Sequence, residues 1–136
     1  RERAVAQRTL ELVRGDLLQA RGLADPAALA PACNLAGRSV VLHFDTASGP
    51  ITYSLGKPAE PIWRGQVLMR CGPAYGLHGE LGSGAAQNRV VLDALAASAG
   101  FRAQPAGVGL LQLELAQAWA DGGRLNTRLP VAIEAN

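Results

Sequence analysis

The stretch PIWRGQVLMRCGP at residues 61–73 decides which class of protein to expect. It combines two arginines (Arg64 and Arg70) and Cys71 with a loosely alternating apolar run. A reactive thiol beside arginines would indicate an enzyme that holds an anion. Alternating apolar side chains instead indicate a β-strand, and the pattern over 62–71 favours this interpretation. The arginines remain candidate contacts for an anion or a partner, with a solvated strand face as the alternative.

The cysteines have three interpretations. The chain contains two cysteines, Cys33 and Cys71, and two histidines, His43 and His78, whose spacing matches no zinc signature. An even cysteine count would suit a small exported domain, which favours a disulfide between Cys33 and Cys71. Two buried thiols, and a Cys71–His78 nucleophile and base pair, are the alternatives. The pair lacks an obvious Asn or Asp to orient its histidine.

Length and composition limit the function classes. The 136 residues suit a single domain over 1–136, and 49% hydrophobic with 18% charged residues is typical of a folded protein. A net charge of +2 is too small to indicate nucleic-acid binding by itself. The chain begins at Arg1 in an already helical pattern, so we expect a further segment upstream. No run of 18 apolar residues occurs in the sequence.

The N-terminal residues 1–22 predict a long helix that ends at Gly22. Apolar or small side chains recur there at helical spacing and form one stripe. The stripe consists of Val5, Thr9, Leu12, Val13, Leu17 and Ala20.

Residues 39–136 predict mainly antiparallel strands. The runs 39–44 and 51–55 flank a turn and read as a hairpin. Three later strands are predicted at 89–96, 108–119 and 127–135, with loops over 72–88 and 101–107. Pro130 predicts that the last strand lies at an edge of the sheet, because proline has no N–H to donate to a neighbouring strand. A helix followed by strands predicts an α+β fold, in which the long N-terminal helix packs on an antiparallel sheet.

The order of these segments resembles the type IV pilin superfamily. RERAVAQRTLELVRGDLLQA (1–20) resembles the C-terminal half of the first pilin helix. ITYSL and PIWRGQVLMRCG resemble a strand pair of the larger minor pilins. VVLDAL, followed by VGLLQLELAQAWADGGRLNTRLPVAI, resembles the closing portion of PilW-like minor pilins and of the GspJ-like pseudopilin of type II secretion.

The resemblance implies a structural subunit and no enzyme, catalytic residue or cofactor. The family's members initiate or cap a bacterial type IV pilus and support adhesion, motility or DNA uptake, or they belong to a type II secretion pseudopilus. Their partners are the major pilin and other minor pilins, reached through the N-terminal helix, with DNA or a surface as further candidates. An apolar segment upstream of Arg1 would hold the subunit in the inner membrane before assembly into an extracytoplasmic fibre.

Two other function classes are alternatives to a fibre subunit. One is a small extracytoplasmic enzyme that uses Cys71. The other is a DNA-binding module, which would require six arginines to form one basic patch. These are Arg64, Arg70, Arg89, Arg102, Arg124 and Arg128.

Overall fold

The computed structural model describes residues 1–23, 28–82 and 84–133, which contain one α-helix and eight strands. In chain order these elements are α1 (Glu2–Leu17), β1 (Ala20–Leu23), β2 (Ser39–Thr46), β3 (Gly49–Gly56), β4 (Gln66–Gly72), β5 (Gln87–Leu95), β6 (Phe101–Pro105), β7 (Leu110–Ala118) and β8 (Arg124–Ala132).

The strands form one antiparallel sheet in the order β1-β2-β3-β4-β5-β7-β6, and β8 pairs with the other edge of β7. The end of β5 reaches the β6 edge of β7 through the pair Leu95 and Gln117. The registers of β4 with β5 and of β2 with β3 shift within the ladders, and such bulges increase the local twist. The twisted sheet therefore curls, and β6 approaches β2.

The predicted α+β fold with a long helix packed on a sheet is wrong. The fold is mostly β, with one short N-terminal helix and an eight-stranded curled sheet. The helix predicted over 1–22 ends at Leu17, because the chain then turns and Ala20–Leu23 pairs with β2. The loop predicted over 101–107 contains β6, because the edge of β7 offers it backbone partners. Periodicity within one segment carries no information about such partners.

Other strand predictions hold. Residues 39–46 and 49–56 form the expected hairpin. The strand expected over 62–71 begins only at Gln66, so Arg64 precedes it, in the loop that bends at Gly65, whose φ is 55°. In the described part of the chain β8 pairs only with β7, which fits an edge strand containing Pro130. The predicted end of that strand at 134–135 lies outside the described residues.

The core lies between the inner face of the sheet and one face of α1. Within α1 the buried residues are Ala6, Thr9, Leu10, Val13 and Asp16. Two of them belong to the predicted stripe, whose members Val5, Leu17 and Ala20 are half-buried against the core, so the stripe lies on the buried side but omits its centre. It packs mainly on β8, and also on β5 and β7. The largest fully buried apolar side chains of the sheet are Tyr53, Ile51, Leu68, Leu113, Leu115, Val67 and Val131.

Candidate functional site

Asp16 lies in the last turn of α1, and its side chain is completely buried. Its carboxylate accepts two hydrogen bonds from Arg70, from Nε to Oδ2 at 2.7 Å and from Nη2 to Oδ1 at 3.0 Å. The hydroxyl of Tyr53 donates to Oδ2 and that of Tyr75 to Oδ1, each at 2.5 Å. One carboxylate therefore joins α1 to β3, to β4 and to the segment after β4. We call these four side chains the helix clamp.

The sheet register places the donors of the helix clamp on one face. Tyr53 is the cross-strand partner of Arg70, so the two side chains project from the same face of the sheet. Tyr75 follows β4 and is positioned by a bridge to Leu81. Arg70 also donates from Nη1 to the carbonyl oxygen of Pro73 at 2.9 Å, which holds the start of this segment.

Burial and the ion pair set the electrostatics of the helix clamp. Burial raises the pKa of Tyr53, and the charge and hydrogen bond of Asp16 raise it further, well above the usual 10. Burial, followed by the hydrogen bond and charge of Asp16, also raises the pKa of Tyr75. Burial alone would lower the pKa of Arg70, but the hydrogen bonds and charge of Asp16 outweigh it and raise this pKa. Both tyrosines therefore stay protonated and continue to donate at mildly alkaline pH.

The geometry of the helix clamp suits a mechanical role. The carboxylate of Asp16 is fully enclosed and accepts hydrogen bonds on both oxygens. The Arg70 guanidinium also lies 5.4 Å from the centre of the Tyr75 ring, within range of a cation–π contact. Removing one member of such a buried pair costs about 3–5 kcal/mol, because the other charge is left uncompensated. The helix clamp therefore ties the C-terminal end of α1 to the sheet.

Cys71 follows Arg70 in β4 and forms a disulfide with Cys33, as the sequence predicted. Both cysteines are buried, and their Cα atoms are 5.6 Å apart. The bond ties the segment before β2 to the strand that carries Arg70. Because the sulfur of Cys71 is already bonded, it is not available as the nucleophile of a pair with His78.

Arg64 lies away from Arg70, in the loop before β4, and pairs with two carboxylates. It forms a bidentate pair with Asp93, from Nε to Oδ2 at 3.2 Å and from Nη2 to Oδ1 at 3.0 Å, and its backbone N–H donates to the same Oδ2 at 2.9 Å. Its Nη1 reaches Glu2 Oε2 at 3.2 Å. Burial alone would raise the pKa of Asp93, but the hydrogen bonds and charge of Arg64 lower it. Anion or partner binding by Arg64 and Arg70 stays a prediction.

The six arginines of the DNA-binding alternative do not form one patch, since Arg64 and Arg124 line one pocket and Arg70 and Arg89 line another. Arg70 is buried under α1, and Arg89 is its cross-strand partner on the same face. Arg102 and Arg128 instead flank Glu114 across β6, β7 and β8, in register with each other. Buried residues precede and follow Glu114 in β7, so this row projects from the opposite, outer face.

Sequence reasoning missed Asp16, Tyr53 and Tyr75 as members of the helix clamp. A signal for Asp16 was present, since it follows Thr9 and Val13 at helical spacing and so belongs to their face. An acid inside an apolar stripe requires a buried partner. No local pattern identifies Arg70 as that partner, because 54 residues separate the two.

In the described ranges, no group of three or more His, Cys, Asp or Glu side chains is placed to hold a metal ion. The helix described here is too short and too polar to cross a membrane. Comparisons of the chain with protein-family models, with curated proteins and with solved structures found no match.

Proposed function

We propose that this chain is the globular part of a structural minor subunit of a bacterial type IV pilus, assembled through its N-terminal helix. The observation that carries the proposal is the helix clamp. A subunit that joins a fibre through its helix needs that helix fixed to its globular part, and a buried, fully hydrogen-bonded ion pair supplies this connection.

The exposed face of α1 supports the same role. Arg8, Glu11 and Arg14 are all exposed and recur every three residues, opposite the buried face. They form a charged stripe that neighbouring subunits can contact without disturbing the core. The order of sequence segments that resembles PilW-like minor pilins, and a disulfide suited to an extracytoplasmic compartment, are further support.

Cross-linking in sheared fibres tests the assembly role. Arg8→Cys, introduced into the full-length gene, adds a free thiol to the exposed face of α1, while both native cysteines remain paired. We expect disulfide-linked species containing this chain and other pilins. Lys57→Cys is the matched control, because Lys57 is exposed in the turn after β3. It should give much less of this product. Absence of the chain from the fibre fraction would refute the proposal.

A minor pseudopilin of type II secretion is the closely related alternative, since the same resemblance supports it. Deletion of the gene separates the two. We expect loss of surface fibres, with normal amounts of secreted enzymes in the medium. Loss of the secreted enzymes with unchanged fibres would assign the chain to the secretion system, and normal levels of both would exclude both roles.

A further inference from the structure

A second feature lies beside the helix clamp and shares Arg70 and Tyr75 with it. A pocket of about 290 Å³ opens between α1, the segment after β4 and the first half of β5. Its volume is at the lower end of the range for ligand pockets, so it suits a small group. The pocket is lined by Leu12, Arg70, Ala74, Tyr75, Gln87, Arg89, Val90 and Val91.

The two arginines of this pocket differ in how their charges are balanced. They are cross-strand partners on the same face of the sheet, where like charges repel each other. Asp16 neutralises Arg70 through two hydrogen bonds. Arg89 is exposed and donates to Gln87 Oε1 at 3.2 Å, and no carboxylate of the described residues lies within ion-pair distance of it. The pocket therefore carries one uncompensated positive charge at its rim.

Arg70 and Arg89 also have N–H donors that make no hydrogen bond within the described residues. A guanidinium has five N–H donors, and in the described residues Arg70 uses three of them on Asp16 and Pro73. Arg89 uses one, on Gln87. Leu12, with Ala74, Val90 and Val91, supplies apolar wall beside these donors. A group bound in this pocket thus has both arginine side chains and hydrocarbon among its lining residues.

We propose that this pocket binds a carboxylate carried on a short aliphatic chain. The planar fork of Arg89 matches a carboxylate bidentately, and the apolar wall suits the attached hydrocarbon. Two sources present this chemistry: a free short-chain acid, and the C-terminal carboxylate of a partner peptide that ends in an aliphatic residue. The proposal is independent of the fibre role, because it depends only on the pocket of the isolated domain.

A titration followed by ¹⁵N NMR tests the charge requirement. We expect 4-methylpentanoate to shift the backbone amides of Leu12, Tyr75 and Val91 saturably, and 4-methylpentanamide to leave them unchanged. Arg89→Gln should weaken binding by at least about tenfold, because a hydrogen bond to a charged group is lost. Arg102→Gln is the matched control, since Arg102 is equally a strand arginine but lies on the outer face. It should leave the affinity unchanged, and the same spectra report whether each variant is folded.

A pair of peptides separates the two sources. A pentapeptide ending in leucine with a free C-terminus is compared with its amidated form. Binding of the free acid and of the free-carboxylate peptide assigns the pocket to a partner's C-terminus, and binding of the acid alone assigns it to a small molecule. The proposal is overturned if neither the acid nor the free-carboxylate peptide shifts the backbone amides of the pocket. It is also overturned if 4-methylpentanamide and the amidated peptide bind as tightly as the corresponding carboxylates, or if Arg89→Gln has no effect on binding.

Discussion

Replacing Asp16 by asparagine tests the helix clamp most directly, because the substitution keeps the shape of the side chain and removes its charge. The carboxylate accepts hydrogen bonds from Arg70 and Tyr53 on one oxygen, and from Arg70 and Tyr75 on the other. In Asp16→Asn one of these oxygens becomes an NH₂ group. This group is itself a hydrogen-bond donor, so the two donors that bonded to the oxygen lose their acceptor. The guanidinium of Arg70, 9% exposed, also loses its counter-charge.

The magnitude follows from these two losses. Breaking a buried ion pair by removing one partner costs about 3–5 kcal/mol, and each buried donor left unsatisfied costs about 1–3 kcal/mol. These contributions overlap, so we expect the free energy of unfolding to fall by about 3–5 kcal/mol. Against a total of roughly 5–15 kcal/mol for a domain, a loss of this size is readily measured.

Equilibrium unfolding in urea, followed by tryptophan fluorescence with the disulfide intact, is the assay. Asp45→Asn is the matched control, because Asp45 pairs with Arg21 at 3.2 Å with side chains 44% and 61% exposed. Its loss should stay below about 1 kcal/mol. The double variant Asp16→Leu, Arg70→Met should lose about 1–3 kcal/mol less than the sum of the single variants. If Asp16→Asn costs no more than Asp45→Asn, the reasoning about the helix clamp is wrong.

Three further predictions concern pH, the disulfide and a close backbone contact. The pKa of Tyr53 is raised in the folded state, so its contribution to the free energy of unfolding is complete below about pH 10. As the pH rises further, this contribution falls by about 1.4 kcal/mol per pH unit. Urea midpoints measured from pH 8 to 11 should show the fall, and Tyr53→Phe should show a shallower one. Replacing both cysteines by alanine should lower the free energy of unfolding by about 4 kcal/mol on the chain-entropy model, and a loss under about 1 kcal/mol would contradict it. Gly56→Ala places a methyl group 2.8 Å from the Arg38 side chain and should cost about 1–3 kcal/mol, whereas Gly84→Ala, with open space around it, should have little effect in the same urea assay.

The local elements of this protein were largely readable from its residues. The hairpin of β2 and β3 follows from two short β-rich runs around a turn, and the edge position of β8 from Pro130. These features depend on a few consecutive residues, whose spacing and backbone preferences act locally. The disulfide was predicted from cysteine count and the expected compartment, with other interpretations open, and the fold provides its geometry.

The fold class and the site depended on partners distant in the chain. Whether Ala20–Leu23 continues a helix or joins a sheet is decided by the edge of β2 beside it. Whether residues 101–105 form a strand is decided by β7. Neither partner is visible in the segment itself, since strand pairing is a long-range interaction whose register depends on both chains.

The sequence by itself determined one apolar helix face, several alternating strands and a cysteine pair, because these depend on the period of neighbouring residues. Only the tertiary structure decided that Asp16 meets Arg70, at a separation of 54 residues. It also decided that Arg89 stands beside Arg70 without an acid of its own among the described residues. Strand register determines which charged side chains become neighbours. In a low-dielectric interior these neighbours determine the pKa of a charged group and the strength of its interactions.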